Sequence, residues 1–255
     1  MIYIHPIGGL GNMMFHIASI WTLAKDNNDV LILLDNDTKI KNLINDGRIN
    51  LAHANDYRYL LDRLPEVKNY SPEKVGFAFE EINIPYIPNK EYVGYFQSEQ
   101  FFKHRRSEIL ELFKPADSFL DKINTFSYFF NNIALHVRRN DYVRLYPEIH
   151  IPQPMEYYNE ALSLLPQDKK VLIFSDDLPW CYKNFVGDRF MFINELDYIS
   201  MYLMSKMKYH IIANSSFSWW GAWLAESEKV IAPKKWFGDK GVNYKNIVPE
   251  NWIKI

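Results

Sequence analysis

Ile133-Ala134-Leu135-His136-Val137-Arg138-Arg139-Asn140-Asp141-Tyr142 is the stretch on which the reading of the fold turns. Ile133 to Val137 is a short apolar run of the kind that fills a buried strand. Two arginines at the end of such a strand are costly to place unless an anion neutralises them. The guanidinium is a planar fork that matches phosphate oxygens two at a time. Two readings are open at this point: a bound phosphate or diphosphate, or an Arg–Asp pair that closes the strand end.

Downstream, strands and helices alternate. Pro154 can open a helix at its first position, and Met155, Tyr158, Leu162 and Leu165 line one face. Val171–Phe174 and Phe190–Ile193 read as strands. Leu196, Ile199, Leu203 and Met207 mark a helix between Phe190–Ile193 and a strand at His210–Ala213. Asn214-Ser215-Ser216-Phe217-Ser218 opens a helix carrying Trp219, Trp220 and Trp223, whose spacing assigns them to the core, and Val230–Ala232 closes the pattern. This is a Rossmann-like layout, and in such sheets ligands bind at the carboxyl ends of the strands. Three polar clusters follow three of these strands: His136–Tyr142, Ser175–Asp177 and Asn214–Ser218. In a parallel sheet they converge on one edge. The third is a helix N-terminus dressed with hydroxyls, suited to a phosphate or to an ordinary cap. In the second, a carboxylate can accept from a guanine edge, or an aspartate there can cap the next helix. Together the three favour a nucleotide diphosphate.

The first thirty-five residues form a matching unit. Ile2–His5 reads as a strand, Gly8-Gly9-Leu10-Gly11-Asn12 as a glycine-rich turn, Met13–Lys25 as a helix and Val30–Leu34 as a second strand ended by Asp35. A nicotinamide dinucleotide fingerprint needs a third glycine where Met14 stands, which argues against that cofactor. Asp35-Asn36-Asp37 has a metal-holding D-x-D form, but Asp and Asn favour strand-end turns in any case. Prolines at 65, 72, 85 and 88 break residues 38–90 into short pieces, Glu91–Phe96 reads as a strand and Phe101–Phe113 as a helix. The domain boundary is expected near 115–130, giving domains 1–122 and 123–255.

The chain has 255 residues, 48% of them hydrophobic, and a formal net charge of −2, so it can bury a large core and offers no basic field for nucleic acid. His104-Arg105-Arg106 is too short to change that. One cysteine, Cys181, rules out internal disulfides and zinc–thiolate clusters. No signal peptide and no apolar run long enough to span a bilayer is seen.

The chain resembles the family 11 glycosyltransferases, the α-1,2-fucosyltransferases of bacterial and animal cells. The matching pieces are Gly8-Gly9-Leu10-Gly11-Asn12-Met13-Met14-Phe15, His136 to Tyr142, Phe174-Ser175-Asp176-Asp177-Leu178-Pro179-Trp180, and Asn214 through Trp223. Smaller echoes are Gly94-Tyr95-Phe96-Gln97-Ser98 and Ile231-Ala232-Pro233-Lys234-Lys235-Trp236, and all run in family order. The resemblance implies an α/β fold of GT-B architecture, two Rossmann-like domains facing a cleft. The first would be the acceptor side and the second would bind GDP-fucose. It implies GDP-β-L-fucose as donor substrate, inversion at the anomeric carbon, transfer to the 2-hydroxyl of a galactosyl glycan, and no cofactor or metal. Two positions depart from the family: Met13 stands where Gln is usual, and Asn140 where Gly is usual.

By motif match, Arg138 would contact the diphosphate and stabilise departing GDP, with Arg139 beside it. His136 would support ribose or phosphate, Asp176 would read guanine, and Asn214, Ser215, Ser216 and Phe217 would hold phosphate. Asn12 would position donor or acceptor. An inverting reaction also wants a base near the acceptor hydroxyl. Asp141, Glu148, His150 and His16 are candidates, Glu148 and His150 lying in the loop from Pro147 to Pro154. The rivals are a metal-dependent sugar transferase using Asp35 and Asp37, and a non-catalytic carbohydrate-binding protein, since aromatics are 16% of the chain. The missing anchor points to a bacterial cytoplasmic enzyme, peripheral at most to the inner membrane.

Overall fold

The computed structural model describes residues 1–34, 41, 60–79, 81–144, 148–239 and 244–255. Asp35, Asn36, Asp37 and Pro147 lie outside them. The chain divides into two compact units, Met1–Ala116 with Lys245–Ile247, and Asp117–Tyr244 with Val248–Ile255. The expected boundary at 122/123 falls inside a helix, α3 (Asp117–Asn124). That helix belongs with the second unit: Phe119 packs on Tyr198 with ring centroids 4.9 Å apart, and Lys122 pairs with Glu195 at 2.8 Å.

The first unit contains β1 (Ile2–Ile4), α1 (Leu10–Asp26), β2 (Leu31–Leu34), β3 (Glu66–Val67), β4 (Glu73–Gly76), β5 (Lys90–Val93) and α2 (Arg106–Leu112). Its five strands are all parallel, in the order β3-β2-β1-β5-β4. The chain steps from β1 outward to β2 and β3, then resumes on the other side, so the topological switch point lies between β1 and β5. Helix α1 begins one turn earlier than its apolar spacing predicts, at Leu10, with Gly9 as an extended N-cap. It ends where Asn28 turns left-handed at φ 54° and the Asp29 N–H returns to the Ala24 carbonyl at 2.8 Å. Met13 and Met14 are buried in the core, so the two positions where polar or small residues were weighed carry packing instead.

The second unit contains α3, β6 (Ile133–Val137), α4 (Asn140–Arg144), α5 (Met155–Ser163), β7 (Val171–Ser175), α6 (Leu178–Asn184), β8 (Phe190–Ile193), α7 (Asp197–Met204), β9 (Tyr209–Ile211), α8 (Ser216–Trp223), β10 (Lys229–Ala232) and β11 (Ile253–Lys254). Six parallel strands run in the order β11-β10-β9-β6-β7-β8, with the switch point between β6 and β9. Strand β6 is central, and all five of its residues are buried. Tyr158 and Ala161 of α5 and Cys181 of α6 pack with it, and burial pushes the Cys181 thiol up to about 11, which leaves it inert. Trp219, Trp220 and Trp223 are core residues, as their spacing predicts.

The strands and helices that the sequence reading named in this half lie within a residue or three of their expected places, whereas α3 and α4 were not read from the sequence. Pro154 sits at the N-cap rather than inside α5, and Leu165 packs beyond its end. The helix expected over 101–113 is two 3-10 turns, Glu99–Phe101 and Lys103–Arg105, followed by α2; Ser98 caps the first by accepting from the Gln100 N–H. Strands β3, β4 and β11 escape the sequence because they are short and largely exposed, so no apolar alternation marks them. Among the described residues, no helix is long and apolar enough to cross a membrane.

Gly8 holds φ at +70°, and a Cβ there would lie 2.9 Å from the Asn12 Cβ. Gly76 has no atom near its missing Cβ. Gly8→Ala is therefore expected to lower stability by about 1–2 kcal/mol from the left-handed backbone alone, while Gly76→Ala stays within roughly 0.5 kcal/mol. Equal denaturation midpoints for the two variants would contradict this account of the turn.

Candidate active site

The exit of β6 is built around one carboxylate. Asp176, just past β7, accepts from the backbone N–H of Arg139 at 2.9 Å and of Asn140 at 3.2 Å, and its second oxygen lies 3.2 Å from Arg138 Nε. Burial raises the Asp176 carboxyl against the pull of Arg138 and the two N–H donors. The Asn140 side chain adds a bond to the Asp176 carbonyl that a glycine could not make. Asn140 opens α4 without a positive φ, so the backbone here does not need the conformational freedom of the glycine usual in the family.

Arg138 is gripped along one edge. Its Nε and Nη2 lie 3.0 and 2.9 Å from the same Asp141 oxygen. Burial works against its charge, but Asp176 and Asp141 outweigh it and hold the guanidinium above the ordinary arginine range. Nη1 has no partner among the described residues, so that edge is available to a ligand. Arg139 turns the other way: its Nε pairs with Asp177 at 3.1 Å and its guanidinium carbon lies 4.3 Å above the Trp180 ring. The two arginines thus divide the two readings of the sequence. Arg139 closes the strand end, and Arg138 presents donors outward. Asp177 also caps α6, accepting from the Trp180 N–H at 3.1 Å.

Two residues expected as ligand contacts have partners within the chain. Asp176 was expected to read guanine, but its oxygens already serve the chain's own N–H groups and Arg138. Asn214 was expected beside phosphate, but it is 1% exposed and its amide donates to the carbonyls of Trp236 at 2.8 Å and Ile151 at 3.1 Å. Its carbonyl accepts from the Tyr142 hydroxyl at 2.8 Å. Asn214 therefore ties together the loops that follow β6, β9 and β10. The Ile149 carbonyl also accepts from the Gly238 N–H at 2.7 Å, where a Cβ would sit 2.2 Å from the Glu148 carbonyl oxygen.

On the other side of the switch point, Ser215 is the extended N-cap of α8 and makes no side-chain cap, with Ser216 and Phe217 in the first turn. His136 faces Phe217, ring centroids 5.3 Å apart. Burial, with Arg138 adding to it, pushes His136 down to about 3, so it is neutral, and its Nδ1 is buried without a partner. His150 stacks on Tyr142 at 4.6 Å, and burial lowers its pKa. Glu148 is exposed, and Asp141 is committed to Arg138.

In the first unit, Asn12 at the start of α1 accepts from the Gln97 amide at 2.8 Å across the switch point. His16 was expected among the acceptor contacts. It is instead 1% exposed, with its Nε2 3.0 Å from the Tyr92 carbonyl, and works in the core. Sequence reasoning missed a pair at the β1–β5 switch point. His5 Nδ1 lies 3.1 Å from Glu91, whose side chain is 4% exposed. The two are 86 residues apart in sequence, and nothing local announces the contact. Among the described residues, no group of three or more His, Cys, Asp or Glu is placed to hold a metal ion.

The sheet orders, the two switch points and an arginine edge open to an anion define a Rossmann-like α/β protein of the two-unit kind. The profile described as "Glycosyl transferase family 11" matches residues 1–255, and the chain belongs to that family. It is 31% identical to an "Alpha-1,2-colitosyltransferase" of Escherichia coli, over 97% of this chain and 96% of that protein. It is 24% identical to the "Galactoside alpha-(1,2)-fucosyltransferase 2" of Oryctolagus cuniculus, over 89% of this chain and 68% of that one. The crystal structure of the NodZ α-1,6-fucosyltransferase co-crystallised with GDP superposes with a TM-score of 0.54 at 13% identity, covering 88% of this chain and 92% of that one. That likeness is one of fold: the chain has the GT-B class of architecture.

Two outcomes follow from the site. Asn214→Ala strands the Ile151 and Trp236 carbonyls, so a loss of about 2–3 kcal/mol in chemical denaturation is expected; a loss below roughly 0.5 kcal/mol would show that Asn214 does not hold the loops. His136 and His210 are both buried neutral, pushed down to about 3 and about 4. The unfolded chain takes up protons near pH ~6.5 that the folded chain refuses. Stability should thus fall as pH drops from about 6.5 toward 4. A denaturation midpoint equal at pH 7.5 and pH 5 contradicts it.

Proposed function

We propose that this chain transfers L-fucose from GDP-β-L-fucose, with inversion at the anomeric carbon, to the 2-hydroxyl of a galactosyl acceptor, and that the reaction needs no metal ion. The observation that carries the reading is Arg138, fixed on one edge by Asp141 and Asp176 and open on the other, at the switch point of a parallel sheet. Breaking a glycosyl–phosphate bond builds negative charge on the departing diphosphate while the ring gains positive character. Fixed donors aimed at that charge lower the barrier without reorganising. Arg138 and the first turn of α8, Ser215 to Phe217, are the donors of this kind on the edge. His136, neutral and with a buried nitrogen unpartnered, is suited to a ribose hydroxyl or phosphate oxygen beside them. The E. coli and rabbit relatives are named for α-1,2 transfer, which supports the linkage, and the rabbit relative is named for fucosyl transfer to a galactoside, which supports the donor sugar and the acceptor.

The identity to a colitosyltransferase keeps a second donor in view. Colitose is fucose without the 3-hydroxyl, so the two donors differ by one hydrogen-bonding group. Side-by-side turnover of GDP-fucose and GDP-colitose separates them.

The first experiment is calorimetric titration with GDP, GDP-fucose, UDP and NAD in the presence of EDTA. Micromolar binding of the guanine ligands alone is expected, with turnover unaffected by the chelator. No GDP binding by folded protein overturns the proposal. Turnover lost to EDTA and restored by magnesium or manganese moves it to the metal-dependent class. Arg138→Ala should lower turnover by about 100-fold or more with the circular dichroism spectrum retained; turnover above a tenth of wild type would remove Arg138 from the chemistry.

A further inference from the structure

Among the described residues, one face of the first sheet is open toward its β4 edge. Parallel sheets are ordinarily covered on both faces. On one face here, Ile2, Ile4 and Tyr92 are fully buried. On the other, register sets the neighbours. Tyr3 of β1 is in register with Glu91 of β5, which is in register with Lys74 of β4. Two residues on, Val93 is in register with Gly76. Register partners share a face, and alternation adds His5 to it. Val93 is 37% exposed, and nothing lies within 4 Å of where a Gly76 Cβ would stand. Gly76 therefore leaves a notch beside Val93. Neighbouring strands lie about 4.8 Å apart, so the face from β1 to β4 spans about 10 Å. Tyr70, itself exposed, packs on Tyr3 with ring centroids 5.1 Å apart and adds an aromatic wall to this face. The rim is polar. Glu91 is 4% exposed, and a carboxylate so far out of water needs partners. His5 Nδ1 at 3.1 Å and Lys74 Nζ at 3.7 Å both fall on one of its oxygens, and the other oxygen has no partner among the described residues. The imidazole is 44% exposed, and its Nε2 is likewise without a partner among them.

We infer that the notch at Gly76, rimmed by His5, Lys74 and Glu91, binds a sugar ring without need of a nucleotide. The charges of Lys74 and Glu91 cancel, so the rim favours neither a phosphate nor a metal ion. It offers instead the mixture that adjacent hydroxyls use. The free carboxylate oxygen accepts and the ammonium donates. The imidazole Nε2 accepts, because the carboxylate on Nδ1 holds the ring proton there. A hydroxyl donates and accepts at once, so a vicinal pair satisfies groups that an anion or a cation would leave unpaired. Val93 and Tyr70 give apolar surface to the C–H face of the ring, the usual complement to a few convergent polar groups. The inference rests on the transferase reading for the choice of a galactoside, and on the first unit alone for its geometry.

The test is titration of the full chain with lactose in the absence of nucleotide, by calorimetry and saturation-transfer NMR, with GDP titrated separately. Wild-type protein is expected to bind lactose with a Kd of about 1 mM. Gly76→Leu, which fills the notch, should weaken that binding by about tenfold or more, and His5→Ala by about fivefold. GDP affinity should hold in both variants, and the denaturation midpoint in Gly76→Leu. Gly76→Ser serves as the steric variant if leucine lowers the midpoint. Wild-type protein that binds no lactose overturns the inference. Binding that survives unchanged in both variants also overturns it, since the sugar would then sit elsewhere. Inorganic phosphate bound in place of lactose, and lost in Gly76→Leu, overturns the sugar in favour of an anion. Lactose bound as expected by protein that binds no GDP overturns the transferase reading and leaves the notch standing.

Discussion

Everything at the ligand edge of the second sheet depends on the carboxylate of Asp176. It takes two consecutive backbone N–H groups and one guanidinium nitrogen. A carboxylate taken out of water is costly, and one stripped of a partner costs several kcal/mol more. Here each oxygen is satisfied, so the same low polarity that makes the group expensive makes its bonds directional and stiff. The consequence is geometric. The turn after β6 cannot rotate, so the two arginines must diverge, one onto Trp180 and Asp177, the other toward the switch point. Asn214 does the corresponding work from the β9 side. With Tyr142 it locks α4 and the 149–151 loop to the segment after β10.

The order of the strands explains why these groups meet at all. In each unit the chain fills one side of the sheet and then the other, so the loops leaving two neighbouring strands splay in opposite directions. The gap they leave lies where a helix N-terminus and a strand end face the same space. In the second unit that gap is flanked by His136–Tyr142 and Asn214–Phe217, and in the first by His5–Asn12 and Tyr95–Ser98. Polar side chains collect at both, while the middles of the central strands stay apolar.

How much of this could be read from sequence depended on the range of each signal. Alternating apolar runs and helix-spaced residues are local, and β6, β7, β8, α5 and α8 were legible from them. Strands β3 and β4 were not, because a two- to four-residue exposed strand is defined by its neighbours and not by its own pattern. At the site, sequence located the clusters and marked Arg138, but it assigned work by residue type. Asp176 and Asn214 looked like ligand contacts because both are polar and follow strands. What decides their role is whether their donors and acceptors are already taken, and that depends on residues 37 and 63 positions away. His5 and Glu91 show the opposite error. Each looked unremarkable alone, and only the β1–β5 pairing brings them together.

The charge around Arg138 also bears on how the edge would treat a ligand. Three carboxylates, Asp141, Asp176 and Asp177, face two guanidiniums, Arg138 and Arg139. The pairs therefore carry a small negative excess before any ligand arrives. An edge designed only to hold a diphosphate tightly would omit one of those acids. Under the proposed reaction, leaving them in place would weaken ground-state binding, while the open edge of Arg138 would still face the oxygen on which charge grows as the bond breaks. Interactions that strengthen only as that charge develops raise the rate, whereas those equally strong in substrate and transition state do not. The acids hold the guanidinium still, and under the proposed reaction they would also temper its attraction for the anion in the resting complex.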